Sequence, residues 1–164
     1  MKLTSILFLF VLNTFIHASE KTEIKCLALN IYHEARSSNL VDQVAVGDVV
    51  FNRINSSRYP NTICGVVHQA KLSKWHLKTT GKKVPIKNKC QFSWYCDGKL
   101  DEPTEEDAWQ RAKILATQMY KYGAYKGITE GAVMYHAFYV DPYWAKSYHL
   151  IGTIGLHKYY TIKD

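Results

Sequence analysis

The stretch Ala28-Leu-Asn-Ile-Tyr-His-Glu-Ala-Arg36 decides how the rest of this chain is read. With Ile24 and Leu27 before it, the apolar residues Ala28, Ile31 and Ala35 recur at the spacing of one helical face, so the segment is expected to be an amphipathic helix. Glu34 projects close to Leu27 and falls at the margin of that face. A carboxyl group there is half in the core and half at the surface. Desolvation favours its protonated form, so Glu34 is a candidate proton donor near neutral pH. The plain alternative is a solvated helix-end glutamate paired with Arg36 or a lysine.

Outward from this helix, the 164 residues suffice for one domain with a real core. Met1-Lys2 followed by the uncharged, mostly apolar run Leu3–Ile16 reads as a secretory signal, too short to span a bilayer comfortably. Cleavage after Ala18 would leave residues 19–164 as the mature domain, and a retained N-terminal anchor is the lesser alternative. No later run is apolar and long enough to cross a membrane, which places the expected product outside the cytoplasm, in periplasm, wall or medium. The four cysteines, Cys26, Cys64, Cys90 and Cys96, fit an oxidising compartment and allow three pairings. One of these closes a small loop between Cys90 and Cys96 and ties Cys26 to Cys64. Zinc-knuckle spacing is absent.

The charge is +7, and from Lys71 to Lys89 there are seven lysines and no carboxylate. Such a block favours polyanions, and for an exported protein the acidic polymers of a wall come before nucleic acid or anionic lipid. A merely solubilising loop explains it as simply.

Leu40–Ile54 is apolar around most of its circumference and is expected to be a central buried helix, capped by Asn39; its valines leave strand open as an alternative. Gly47 would let another element come close. Ile63–Ala70 reads as a short helix and much of 71–89 as loop. Gln91–Tyr95 reads as a strand turning at Asp97-Gly98. Thr104 is expected to cap a helix that ends near Gly123. From Gly131 on, histidines and aromatics alternate only partly, as in short strands and loops. The sum is a single α+β domain, mainly helical.

An acid at a helix end, aromatic loops and a basic exported surface together point to carbohydrate chemistry: rings stack on sugars, and one protonated carboxyl can protonate a glycosidic oxygen. The order of motifs then resembles a known family. Leu29-Asn-Ile-Tyr-His-Glu-Ala-Arg36, Gln43-Val-Ala-Val-Gly-Asp-Val-Val-Phe-Asn-Arg53, Tyr59-Pro-Asn-Thr-Ile-Cys-Gly-Val-Val67, Gln91-Phe-Ser-Trp94 and Gly155-Leu-His-Lys-Tyr-Tyr160 follow one another as in the cell-wall hydrolases typified by the spore cortex-lytic enzyme. The resemblance covers about residues 24–162 and implies a lysozyme-like fold without cofactor or metal. It also implies lytic transglycosylation of peptidoglycan glycan strands, with Glu34 as catalytic acid; apart from the resemblance, a monomer is expected. Gln91, Ser93, Trp94, Tyr135, Trp144 and His157 would line the cleft. Residues 70–89 depart from the pattern, since many relatives are shorter there.

Several other readings compete. A hydrolytic muramidase would need a second carboxylate among Asp42, Asp48, Asp97, Asp101 and Asp141. A zinc amidase or peptidase would draw on His33, His136, His149 and His157, although His33-Glu34 lacks the second histidine of a His-Glu-x-x-His helix. A non-catalytic wall-binding module would use the lysines and aromatics alone. No nucleic-acid motif is present.

Overall fold

The computed structural model describes the backbone of residues 4–163 and the side chains of residues 19–163. The segment read as a signal, Met1–Ala18, therefore lies outside the described side chains. Among the described residues no helix is long and apolar enough to cross a membrane.

Helix α1 (Thr4–Ala35) carries Leu27, Ala28, Ile31, Tyr32 and Ala35 into the core, on the face expected from their spacing. Each large apolar side chain so buried stabilises the fold by ~1.5–3 kcal/mol. Helix α2 (Leu40–Ile54) starts at Asn39, whose Oδ1 accepts the amide of Asp42 at 3.0 Å. It is buried from Asp42 to Val50 without interruption, as a helix packed on several sides is. Helix α3 (Ile63–Val67) stops three residues short of the expected end, because β1 (Ala70–Leu72) begins at Ala70. The Oε2 of Glu23, on α1, accepts the amides of Ile63 and Cys64 at 2.6 and 3.3 Å. The Cys26–Cys64 disulfide fixes the same junction.

The lysine block is not the loop expected. It folds as β1, helix α4 (Lys74–Thr80) and β2 (Pro85–Cys90), with β1 and β2 antiparallel. Ser73 caps α4 through its hydroxyl, and Gly81 ends it at φ +69°, a left-handed conformation that glycine adopts without strain. The strand expected at Gln91–Tyr95 is a short 3-10 helix, Ser93–Cys96, closed by the Cys90–Cys96 disulfide. A ring of that size forces a tight turn on residues whose types favour strand.

Helix α5 (Glu106–Tyr122) packs along α1 and buries Ala108, Ala112, Leu115, Ala116 and Met119. Its start is not set by Thr104. The phenolic oxygen of Tyr32 accepts the amides of Thr104 and Glu105, both at 3.0 Å, so the first helix caps the last. Gly47 is needed where α2 meets α5, since a Cβ there would lie 2.8 Å from Met119 Sδ. The late aromatic segment forms an antiparallel sheet in the order β3 (Met134–Ala137), β5 (His157–Ile162), β4 (Tyr148–Ile154). Asp48 of α2 anchors the approach to this sheet by accepting the amides of Gly127 and Thr129 and the Thr129 hydroxyl at 2.6–3.0 Å. The architecture is α+β and mainly helical, as expected.

Candidate active site

Glu34 occupies the last turn of α1, at the edge of its buried face, and keeps part of its surface in a cleft between α1, the 3-10 turn at Ser93 and strand β3. Tyr135, on β3, donates its hydroxyl to Glu34 Oε2 at 3.1 Å. Register does this: Tyr135 pairs with Tyr159 of the central strand, which turns its ring toward α1. Burial raises the Glu34 pKa above the ordinary carboxylate value. The Tyr135 hydrogen bond and the charges of His157 and Arg53 oppose the rise without cancelling it. Tyr135 itself is pushed well above the usual phenol range, first by burial and then by Glu34, and so stays a donor. Glu34 does not pair with Arg36, which binds Glu105 at 2.7 Å.

Arg53 lies buried at the end of α2 and lines the same cavity. Its Nε donates to the carbonyl of Val133 at 2.8 Å, and its guanidinium sits 4.9 Å from the Phe92 ring centre. Among the described residues its Nη1 finds no hydrogen-bond partner. Sequence reasoning passed over this residue, yet a cation closing an otherwise apolar buried helix is costly without an anionic neighbour, and that was a usable signal.

Of the residues expected at the cleft, Gln91, Ser93, Tyr135 and Trp144 line the cavity that holds Glu34. Trp94 and His157 do not. Trp94 is buried, donates Nε1 to Asn30 Oδ1 at 3.3 Å, stacks on His33 at 4.5 Å and faces an adjoining cavity. His157 lies behind Tyr135, with ring centres 5.1 Å apart, and donates Nδ1 to Asp42 at 2.8 Å. Asp42 also accepts the Leu156 amide and the Tyr159 hydroxyl, both at 3.3 Å. Burial alone would raise the Asp42 pKa, but the hydrogen bond and charge of His157, with its other donors, hold it below the ordinary value.

None of the five aspartates that a muramidase would call upon lines the Glu34 cavity. Asp42 and Asp48 are consumed by structural hydrogen bonds, and Asp97 and Asp101 belong to the adjoining cavity. The histidines are dispersed as well. His33 contacts the Asp101 carbonyl, His136 the Tyr160 hydroxyl and His157 the Asp42 carboxylate. Among the described residues no three His, Cys, Asp or Glu side chains converge so as to hold a metal ion.

A single carboxyl whose pKa burial raises thus faces a cleft walled by a helix and a small sheet. The chain belongs to the Cell Wall Hydrolase family, whose model matches residues 37–160. That match begins just beyond Glu34. The spore cortex-lytic enzyme of Bacillus subtilis is 40% identical over 47 residues, 29% of this chain and 15% of that protein. Its counterpart in Oceanobacillus iheyensis is 39% identical over 49 residues, 30% of this chain and 18% of that protein. The matched stretch thus spans less than a fifth of these curated relatives. The fold is that of the catalytic domain of the Bacillus cereus SleB protein, with a TM-score of 0.58 at 22% identity over 86% of this chain and 91% of that one. The catalytic domain of the germination-specific lytic transglycosylase SleB from Bacillus anthracis gives 0.59 at 24% identity, over 85% and 93%.

Proposed function

We propose that this protein cuts the glycan strand of peptidoglycan between N-acetylmuramic acid and N-acetylglucosamine by lytic transglycosylation, with Glu34 as general acid and then base. The observation that carries this reading is Glu34 itself: a partly exposed carboxyl whose pKa burial raises, in a cavity lined by no second carboxylate among the described residues. Family membership and the likeness in fold to the lytic transglycosylase SleB of Bacillus anthracis support it.

Tyr135 occupies Oε2, which leaves Oε1 to carry the acidic proton. Glu34 gives that proton to the glycosidic oxygen as the bond from C1 breaks, and the N-acetylglucosamine side leaves with a free hydroxyl. The C6 hydroxyl of the muramic residue closes on C1 and returns its proton to Glu34. The product is a 1,6-anhydro end, the acid is regenerated, and no water is consumed. After the first transfer the Glu34 carboxylate is held by the Tyr135 hydroxyl and by the buried positive charge of Arg53. The substrate's own hydroxyl replaces the nucleophilic carboxylate of a retaining glycosidase. Gln91, Ser93 and Trp144 are the substrate contacts around the reacting bond, Trp94 lines the adjoining cavity, and His157 acts from behind Tyr135. Action on the wall also requires export, which the N-terminal segment would direct.

Mass spectrometry of purified peptidoglycan digested by the wild type and by Glu34→Gln tests the reading. Anhydro-muropeptides from the wild type alone are expected. Reducing muramic ends would mean hydrolysis, and cleaved amide bonds sensitive to a chelator would mean a metal amidase. Equal activity of the two proteins would remove Glu34 from the mechanism.

A further inference from the structure

The lysine-rich segment forms a two-stranded arm whose base adjoins the cleft. Ala70 pairs with Cys90, and the Gln91 amide donates to the Gln69 carbonyl at 2.8 Å. Lys71 and Lys89 flank that base on neighbouring strands. Both are exposed, and both line a cavity that shares Cys90 and Gln91 with the one containing Glu34. No carboxylate lines it, and among the described residues none of the seven lysines from 71 to 89 forms a salt bridge. Like charges on adjacent strands repel, so an anion between them relieves a cost already present in the free protein. At the other end the cleft continues past Ser93 into a cavity of mixed charge, with Asp97, Asp101 and Glu102 beside Arg36 and Lys99. One groove thus has a purely basic end and a mixed end, with the acid between them.

We propose that Lys71 and Lys89 form a subsite for the carboxylates of the peptide stems that a peptidoglycan strand carries on its muramic residues. The proposal rests on the glycan-strand reading above. Continuity with the Glu34 cavity selects this anion: the stems are tethered to the sugars that would fill the cleft, whereas a phosphate polymer or a lipid surface has no such fixed spacing from the reacting bond. The unequal ends would also orient the strand, with its anionic substituents toward the arm.

The test measures binding of the Glu34→Gln protein to peptidoglycan stripped of phosphate polymers with hydrofluoric acid, before and after amidation of its carboxyls, at two salt concentrations. Replacing both Lys71 and Lys89 by Ala is expected to weaken binding to the untreated carboxyls about three- to tenfold, the range that two exposed ion pairs supply, with a smaller salt dependence. Amidation should weaken the parent to the level of the double variant and leave the double variant unchanged. Replacing Lys82 and Lys83 by Ala, at the far end of the arm, should do less. Unchanged binding of the Lys71/Lys89 variant would overturn the proposal. So would a lysine effect seen only while phosphate polymers remain, or one seen equally with phosphatidylglycerol vesicles. The assay does not depend on catalysis. A persisting lysine effect in a protein that cuts no glycan bond would refute the cleavage reading and support the subsite, and cleavage with no lysine effect would do the reverse.

Discussion

Two carboxylates of this molecule are both taken from water, and their pKa values move in opposite directions. Glu34 and Asp42 are both desolvated, and burial pushes the pKa of each upward. Asp42 gathers the Leu156 amide, the Tyr159 hydroxyl and the His157 ring, and these donors reverse the shift. Glu34 receives only the Tyr135 hydroxyl, and the rise survives. Burial alone does not make an acid catalyst. The number of donors left facing the carboxylate decides whether it is an acid or an anchor.

The largest effect should come from removing the acid. Glu34→Gln is expected to lower the rate of anhydro-muropeptide release by roughly 10²–10⁴-fold, the usual contribution of a positioned acid or base, while its thermal midpoint holds or rises. Removing the anchor should instead damage the fold. Asp42→Asn takes the charge from a buried pair and should cost about 3 kcal/mol in denaturant titrations, with β4 and β5 losing protection from hydrogen exchange first. If Asp42→Asn left stability intact and abolished catalysis, the contrast between the two carboxylates would fail.

Tyr135→Phe sharpens the comparison by taking the last donor from Glu34. Its carboxyl pKa should rise further, so the alkaline limb of the pH–rate profile moves to higher pH. The rate at the optimum should fall about tenfold, as expected when a hydrogen bond worth ~1.5 kcal/mol to the charged form is lost. The smallest effect is on pH-dependent stability. Asp42 contributes stability that is present above its unfolded value of 3.8 and is lost as pH falls through its depressed folded value. Glu34 behaves in reverse. Its contribution is full below 4.5 and is lost as pH rises through its elevated folded value. Urea titrations of the wild type and of Glu34→Gln should therefore diverge above pH 4.5, the variant being the more stable.

Much of this was legible in the chain, and the failures have physical causes. The apolar periodicity of Ile24–Ala35 and the all-round apolarity of Leu40–Ile54 located the two central helices because burial wrote both patterns. The spacing of Glu34 gave its position at the edge of a buried face. What could not be read was set by partners distant in sequence. Tyr32 replaces Thr104 as the cap of α5 from 72 residues away. The Cys90–Cys96 ring overrides the strand propensity of Gln91–Tyr95. Trp94 and Trp144 are alike as residues, and only the tertiary arrangement turns one toward Asn30 and the other into the Glu34 cavity. In the lysine block, charge masked a helix whose cap, Ser73, and terminator, Gly81, were both visible.

Chain direction also bears on the acid. Glu34 is the penultimate residue of α1, where the uncompensated carbonyls of a helix present partial negative charge. That field disfavours a carboxylate by ~0.3–1 kcal/mol and acts in the same sense as burial. It comes from peptide groups, so no side-chain substitution removes it. Every variant that keeps the helix keeps this push on the proton, and the same glutamate at the helix's other end would feel the opposite pull.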